Sequence, residues 1–294
     1  MSKLPVHGQP IIHIVEVCEQ GEQRDEHQSS VFHLHIPLGD LMLVAAGVRG
    51  SPGGAIAANI AVERFYNQIS GRPQGYPAEK AIHEAAASAN STIVTAANSP
   101  GSLYESMHAT MVMALLQREG ELITALIGHI GNCRAYLLRA DRLKQITADH
   151  STVQALLNRG LITAEEALNH PDAMIPDRCL GLQPNVEIEI DQIPLAVGDT
   201  LLLCSDGLWG FVHELDIEAL AREATPEESA HSLLELAVSV PGHSNVGIEM
   251  ARVLSPPDPD DSHKENSTIL TWIVVAFAAA IISIVLLACV ALLR

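Results

Sequence analysis

The chain has 294 residues, 48% of them hydrophobic, enough for one large domain with an appendage. It carries 17 Lys and Arg against 35 Asp and Glu, a formal net charge of -18, which argues against nucleic-acid binding because that is driven by neutralising phosphates with basic side chains. The cysteines Cys18, Cys133, Cys179, Cys204 and Cys289 are scattered with no C-x-x-C pair, and read as reduced, buried thiols of a cytosolic protein rather than a disulfide or zinc framework.

In chain order, the start has a short apolar run, Ile11 to Val15, and no cleavage site, so it reads as a first strand and not a signal peptide. Strands are predicted near 11–18, 31–36 and 41–46. Helices follow over 55–69, rich in small residues, and 77–97. Three more strands are expected near 107–117, 121–128 and 133–139. Helical periodicity returns at 153–159 and 164–169, the latter behind an N-cap threonine, Thr163, with acidic residues in the first turn. Strands resume near 186–193 and 200–204, helices at 214–222 and 226–238, and a last strand near 245–253. Strands run together instead of alternating with every helix. The fold class is therefore α+β, antiparallel sheets with helices on their outer faces, and not a doubly wound fold.

Residues 255–267 are Pro-rich and acidic and read as a linker, so the domain spans 1–254. From Ile269 to Leu293 the chain is nearly unbroken apolar residues with no charge before Arg294. Roughly 25 residues at about 1.5 Å each can cross a hydrocarbon core of about 30 Å. Residues 268–294 are expected to form a single C-terminal transmembrane helix, a tail anchor at a membrane that keeps the N-terminal domain cytoplasmic.

The most specific residues lie between 128 and 210. They are Gly131-Asn132-Cys133-Arg134-Ala135-Tyr136, Thr147-x-Asp149-His150-Ser151, Gly160-x-Ile162-Thr163-x-Glu165-Glu166-Ala167, His170-Pro171, Arg178-x-Leu180-Gly181 and Cys204-Ser205-Asp206-Gly207-Leu208. As an ordered set they resemble the metal-dependent protein serine/threonine phosphatases of the PPM, or type 2C, family, over about residues 21 to 253. The resemblance implies a four-layer α-β-β-α sandwich of two antiparallel sheets flanked by helices. It also implies two Mn²⁺ or Mg²⁺ ions between the sheets, held by aspartates, which activate a bridging water for phosphomonoester hydrolysis.

The chain departs from that pattern where the metal ligands belong. The family's first motif appears as Arg24-Asp25-Glu26-His27-Gln28-Ser29, with the phosphate-contacting arginine matched by Arg24 and the aspartate position held by Ser29. The family's Asp-Gly-Met-Gly-Gly appears as Ala46-Gly47-Val48-Arg49-Gly50. Asn132 and Ser244 stand at two further aspartate positions, and Asp206 alone retains the family's carboxylate. One aspartate cannot offset two divalent ions in a partly desolvated cleft, so no metal cofactor is expected. Arg49 is expected to pair with Asp206 in place of the metals, or else to point into solvent. Arg24 is either a remaining phosphate contact or a surface arginine beside Asp25 and Glu26.

The leading functional reading is a catalytically impaired pseudophosphatase that acts in signalling at a membrane. It binds a phosphorylated protein or a Ser/Thr kinase partner. The alternatives are an active Mn²⁺- or Mg²⁺-dependent phosphatase, with Asp25, Glu26 or Glu249 recruited as ligands, and a structural domain of a membrane assembly. His27, His33 and His35 suggest a metal cluster, but no carboxylate is spaced to join them and a solvated strand face is expected. Asp149-His150-Ser151 looks like part of a catalytic triad, yet it reads as an ordinary turn. Asp206-Gly207 fits a tight turn as well as a site.

Overall fold

A computed structural model describes residues 9–21, 29–99, 104 and 106–255. The anchor and linker segments, Arg24 and the acidic pair Asp25 and Glu26 lie outside the described residues. Among those described, no helix is long and apolar enough to cross a membrane.

Two five-stranded sheets form the centre. One has the order β1 (Ile11–Glu19), β10 (Val246–Leu254), β9 (Thr200–Cys204), β6 (Arg134–Arg139), β7 (Arg142–Gln145). The other runs β2 (Ser29–Ile36), β3 (Gly39–Gly47), β4 (Ala109–Glu119), β5 (Leu122–Ile130), β8 (Glu189–Leu195). Every pairing is antiparallel. Helices α1 (Gly54–Ser70) and α2 (Ala78–Ala97) cover the second sheet. Helices α6 (Glu214–Leu220) and α7 (Pro226–Ser239) cover the first. The expected α-β-β-α sandwich is the observed one.

The sequence explains the layering. Strand β3 is apolar at successive positions because both of its faces are covered. Leu41, Leu43 and Ala45 enter the layer under α1 and α2, whereas Met42, Val44 and Ala46 enter the layer between the sheets. Alanines at 57, 58, 61, 81, 85 and 86 line the inner faces of α1 and α2 and are fully buried. Small side chains there let α1 sit close to the sheet and α2 pack closely on α1.

Two elements were not expected. Strand β7 (Arg-Leu-Lys-Gln) has no apolar period. It forms because Ala140 and Asp141 both take positive φ, 48° and 60°, and close a two-residue hairpin with Arg139 paired to Arg142. Such turns usually carry Asn-Gly or Asp-Gly, so Ala-Asp sends no signal. The second is α5 (Asp206–Trp209). Asp206 and Gly207, which by sequence fit a tight turn as well as a site, open a single helical turn. Helices α3 (Thr152–Asn158) and α4 (Ala164–Leu168) fall where periodicity placed them, and α4 has the capping box of Thr163 and Glu166.

The turn into α5 is fixed by a close approach. A Cβ on Gly207 would lie 2.0 Å from the Asn245 carbonyl oxygen. A backbone oxygen at the start of a buried strand cannot yield as a side chain can. Gly207→Ala is therefore expected to destabilise the domain by about 3 kcal/mol, read as a lowered thermal midpoint by circular dichroism.

Candidate functional site

The positions that depart from the family's carboxylates gather at one end of the sandwich. Ser29 begins β2 and pairs in register with Ala46 at the end of β3. Asn132 lies in the turn from β5 to β6, Asp206 follows β9, and Ser244 precedes β10. The Asn245 backbone carbonyl ties the two sheets together. It accepts the Ser29 hydroxyl at 3.2 Å and the Ser205 hydroxyl at 3.4 Å. The Asn245 side-chain oxygen accepts the Gly21 N–H at 2.8 Å. Asn132 is held from both ends: its amide donates to the Met174 carbonyl at 3.2 Å, and its own carbonyl accepts the Trp209 indole N–H at 2.9 Å. Ser29, Ala46, Asn132, Asp206 and Ser244 are all buried.

The motifs that carry the resemblance do a different job: they lock this end together. The Arg134 guanidinium makes two bonds of 2.8 Å to the Asp149 carboxylate and one of 3.1 Å to the Tyr136 hydroxyl. It also lies 3.6 Å from the centroid of a Trp209 ring. Three motifs thus meet on one side chain. The neighbouring turn is tied to Gly131. His150 N–H donates to the Gly131 carbonyl at 2.9 Å, and Gly131 N–H donates to His150 Nδ1 at 3.1 Å. Gly131 takes φ +97°, and a Cβ there would lie 2.2 Å from Thr110 Cγ2. Ser151 accepts Gln154 N–H and caps α3. Asp149, His150 and Ser151 therefore face three different partners, as an ordinary turn would, and make no triad.

His150 must stay neutral to accept the Gly131 N–H. Burial, then the nearby His129 and Arg178, pushes its pKa down to about 4, against a smaller opposing pull from Glu189.

Arg49 is exposed. Its guanidinium contacts the Met174 sulfur at 3.7 Å and lies 5.9 Å from the Phe211 ring centroid. The pairing of Arg49 with Asp206 remains a proposal. Met174 was not anticipated as part of this site. It touches Arg49, Asn132 and the backbone around Gly210, and nothing in its local sequence marks it.

Hard divalent cations need several anionic oxygens. Of the five positions, Asp206 alone offers a carboxylate; Ala46 offers no donor atom, and the Ser29 hydroxyl and Asn132 amide are bonded to backbone carbonyls. This donor set does not fit a binuclear manganese or magnesium centre. Among the described residues, two other clusters bring three metal-ligating side chains together: His129 with His150 and Glu189, and Glu16 with His33 and Glu249. Neither includes Asp206. The second corrects the expectation for His33, which does not stand on a merely solvated face. Its ion-pair partner Glu16 comes from β1, and Glu249 reaches it from β10, contacts that local spacing could not reveal. His35 is mostly exposed and pairs with Asp40.

Residues 23–238 match the family model described as Protein phosphatase 2C. The chain is 32% identical over 212 residues to the serine/threonine phosphatase stp of Listeria innocua, covering 71% of this chain and 82% of that protein. It is 33% identical over 216 residues to the serine/threonine protein phosphatase PstP of Mycobacterium tuberculosis, covering 73% of this chain and 40% of that one. The PstP crystal structure superposes with a TM-score of 0.73 at 30% identity, over 83% of this chain and 99% of that chain. The PstP catalytic domain in complex with 2 manganese ions matches with a TM-score of 0.72 at 29% identity, over 84% of this chain and all of that one. The chain belongs to the protein phosphatase 2C family. Kinship supports neither the degenerate status nor the membrane anchor read from the sequence, and it lends nothing to the expectation of no metal cofactor. It favours the enzymatic alternative, since these relatives are named phosphatases.

Two outcomes follow from the local geometry. Arg134→Ala leaves Asp149 buried without its cation and is expected to cost about 3–5 kcal/mol in a denaturant titration. For His150, the unfolded chain takes up a proton near pH 6.5, whereas the folded chain resists until about 4. Its contribution to stability is whole above pH 6.5 and is lost as pH falls. By pH 5 the loss is about 2 kcal/mol. His150→Asn should flatten this part of the stability–pH curve.

Proposed function

We propose that this protein is a phosphatase 2C-fold domain that engages phosphoserine- or phosphothreonine-bearing protein, or a Ser/Thr kinase, without hydrolysing phosphate by the two-metal route. One observation carries the reading. At the end of the sandwich where the family places its metal aspartates, one carboxylate stands among neutral residues. Two of these, Ser29 and Asn132, are bonded to backbone carbonyls of the fold. Such a domain would act as a scaffold, as a shield for a phosphosite, or as a competitor of an active phosphatase. Arg24, matched to the family's phosphate-contacting arginine, is the proposed anchor for the phosphoryl group, by bidentate hydrogen bonding. The apolar run at 269–293 supports including a membrane anchor in the proposal.

The second reading is an active Mn²⁺- or Mg²⁺-dependent serine/threonine phosphatase. It is favoured by the names of the relatives and by a structure of one of them with 2 manganese ions. It needs carboxylates from outside the five matched positions.

Calorimetric titration of the full chain with Mn²⁺, with p-nitrophenyl phosphate turnover measured alongside, separates the two. The proposal expects neither Mn²⁺ binding nor turnover to exceed that of Asp206→Asn. Turnover that depends on Mn²⁺ and falls at least tenfold in Asp206→Asn establishes the second reading instead. Phosphopeptide binding that is lost in Arg24→Ala supports the assigned anchor.

A further inference from the structure

Glu16 on β1 lies directly opposite Glu249 on β10. Like charges so placed on antiparallel strands repel. Side-chain alternation turns both toward the space between the sheets: Ile12 and Ile14 of β1, and Ala251 and Val253 of β10, belong to the apolar layer there. From the facing sheet, β2 sends His33 to the same side as Val31. His33 Nδ1 lies 3.0 Å from Glu16 Oε2. One ligand atom from each of Glu16, His33 and Glu249 lies within 4.8 Å of the other two.

Glu249 is the anomaly that calls for an explanation. It is 0% exposed, in a strand that is otherwise apolar apart from Arg252. Its Oε1 accepts the Phe32 N–H at 2.7 Å, but its Oε2 is buried with no hydrogen-bond partner. A buried acceptor left unsatisfied costs about 1–3 kcal/mol, more if charged. Burial above all, with a smaller push from Glu16, holds this carboxyl well above the ordinary carboxylate range against the opposing pull of the Phe32 and Leu43 backbone N–H groups. β1 and β2 are edge strands of their sheets. The Glu16 and His33 side chains are 42% and 37% exposed, so an ion has a path from solvent to Glu249.

We propose that Glu16, His33 and Glu249 bind one divalent transition-metal ion of the Zn²⁺ type, which joins the two sheets at their β1 and β2 edges. An imidazole with two carboxylates matches the ligand chemistry of Zn²⁺, and three protein ligands leave the fourth position for water on the open side. Ligand atoms around a tetrahedral Zn²⁺ lie roughly 3.4 Å apart, a spacing His33 and Glu16 already approach. The ion replaces the proton that burial favours on the Glu249 carboxyl, which is released to solvent on binding, satisfies the second Glu249 oxygen and bridges it to His33 and Glu16. The site is separate from the Asp206 cleft: His33 is four residues along β2 from Ser29, roughly 13 Å. The other cluster lacks these features. There the Arg178 guanidinium holds Glu189 at 2.8 Å and lies 3.4 Å from His150, so a cation is already in place.

The test uses the full chain, stripped with EDTA and titrated with Zn²⁺ in a calorimeter, with thermal midpoints recorded in parallel. Expected are one site of micromolar or tighter affinity, a raised midpoint, and visible ligand-field bands when Co²⁺ replaces Zn²⁺. Glu249→Gln, His33→Gln and Glu16→Gln should each weaken binding at least tenfold; the last two alter half-exposed side chains and leave the fold intact. Asp206→Asn should bind Zn²⁺ as the parent does. Absence of binding, or binding that survives His33→Gln and Glu16→Gln, overturns the proposal. Neither result bears on the proposed function, which is read from Mn²⁺ and Asp206.

Discussion

The Arg134 guanidinium is the contact on which this end of the molecule depends. It is nearly buried, it is matched in charge by Asp149 through two parallel bonds, and one of its faces is covered by Trp209. A buried cation without such a partner would cost several kcal/mol. The arrangement therefore constrains three segments at once. The first residue of β6 must be the arginine, the turn before α3 must carry the aspartate, and α5 must bring the tryptophan. Trp209 in turn bonds the Asn132 carbonyl, which fixes one of the four positions where a neutral residue stands at a metal-aspartate position of the family.

That lock explains why the family is legible in the sequence while the chemistry is not. Gly131, Arg134, Asp149, His150 and Gly207 are demanded by backbone approaches and buried pairing, whatever the cleft contains. They form an ordered signature that a reader of sequence can find. Ser29, Ala46, Asn132 and Ser244 could be recognised as departures, but their partners could not. The bond from Ser29 to the Asn245 carbonyl joins strands of different sheets. Met174 enters the site from a segment with no regular structure. Long-range contacts of this kind leave no period or spacing in the chain. Strand β7 escaped for a local reason: its hairpin turn uses residues that rarely adopt positive φ.

The neutral residues at the cleft have a physical consequence of their own. A cluster of facing aspartates is stable when cations compensate it; without them, mutual repulsion and desolvation act against the fold. Here the hydroxyl of Ser29 and the amide of Asn132 find backbone acceptors, and Ala46 packs among the apolar residues between the sheets. These three side chains are satisfied within the fold itself. The relatives named as phosphatases share the scaffold, so kinship and donor chemistry weigh on different links. Kinship fixes the architecture and favours an enzyme. The donor set limits which chemistry these five positions can support.

The opposite pattern appears four residues along the same β2 strand. There two carboxylates face one another across a ladder, one of them deeply buried with an oxygen unsatisfied, and a histidine from the other sheet completes the group. A sandwich tolerates a buried glutamate between its sheets when something on the facing sheet answers it. Phe32 N–H answers one oxygen. The second oxygen has no hydrogen-bond partner, and the carboxyl stands with His33 and Glu16 near the rim where β1 and β2 meet. The fold thus handles charge between its sheets in two ways: removal where four strand ends converge, and concentration where two edge strands meet. The physical cost of the second is local and specific to Glu249, which makes that side chain, rather than the cleft, the place where this chain departs most from a sandwich that needs no ion.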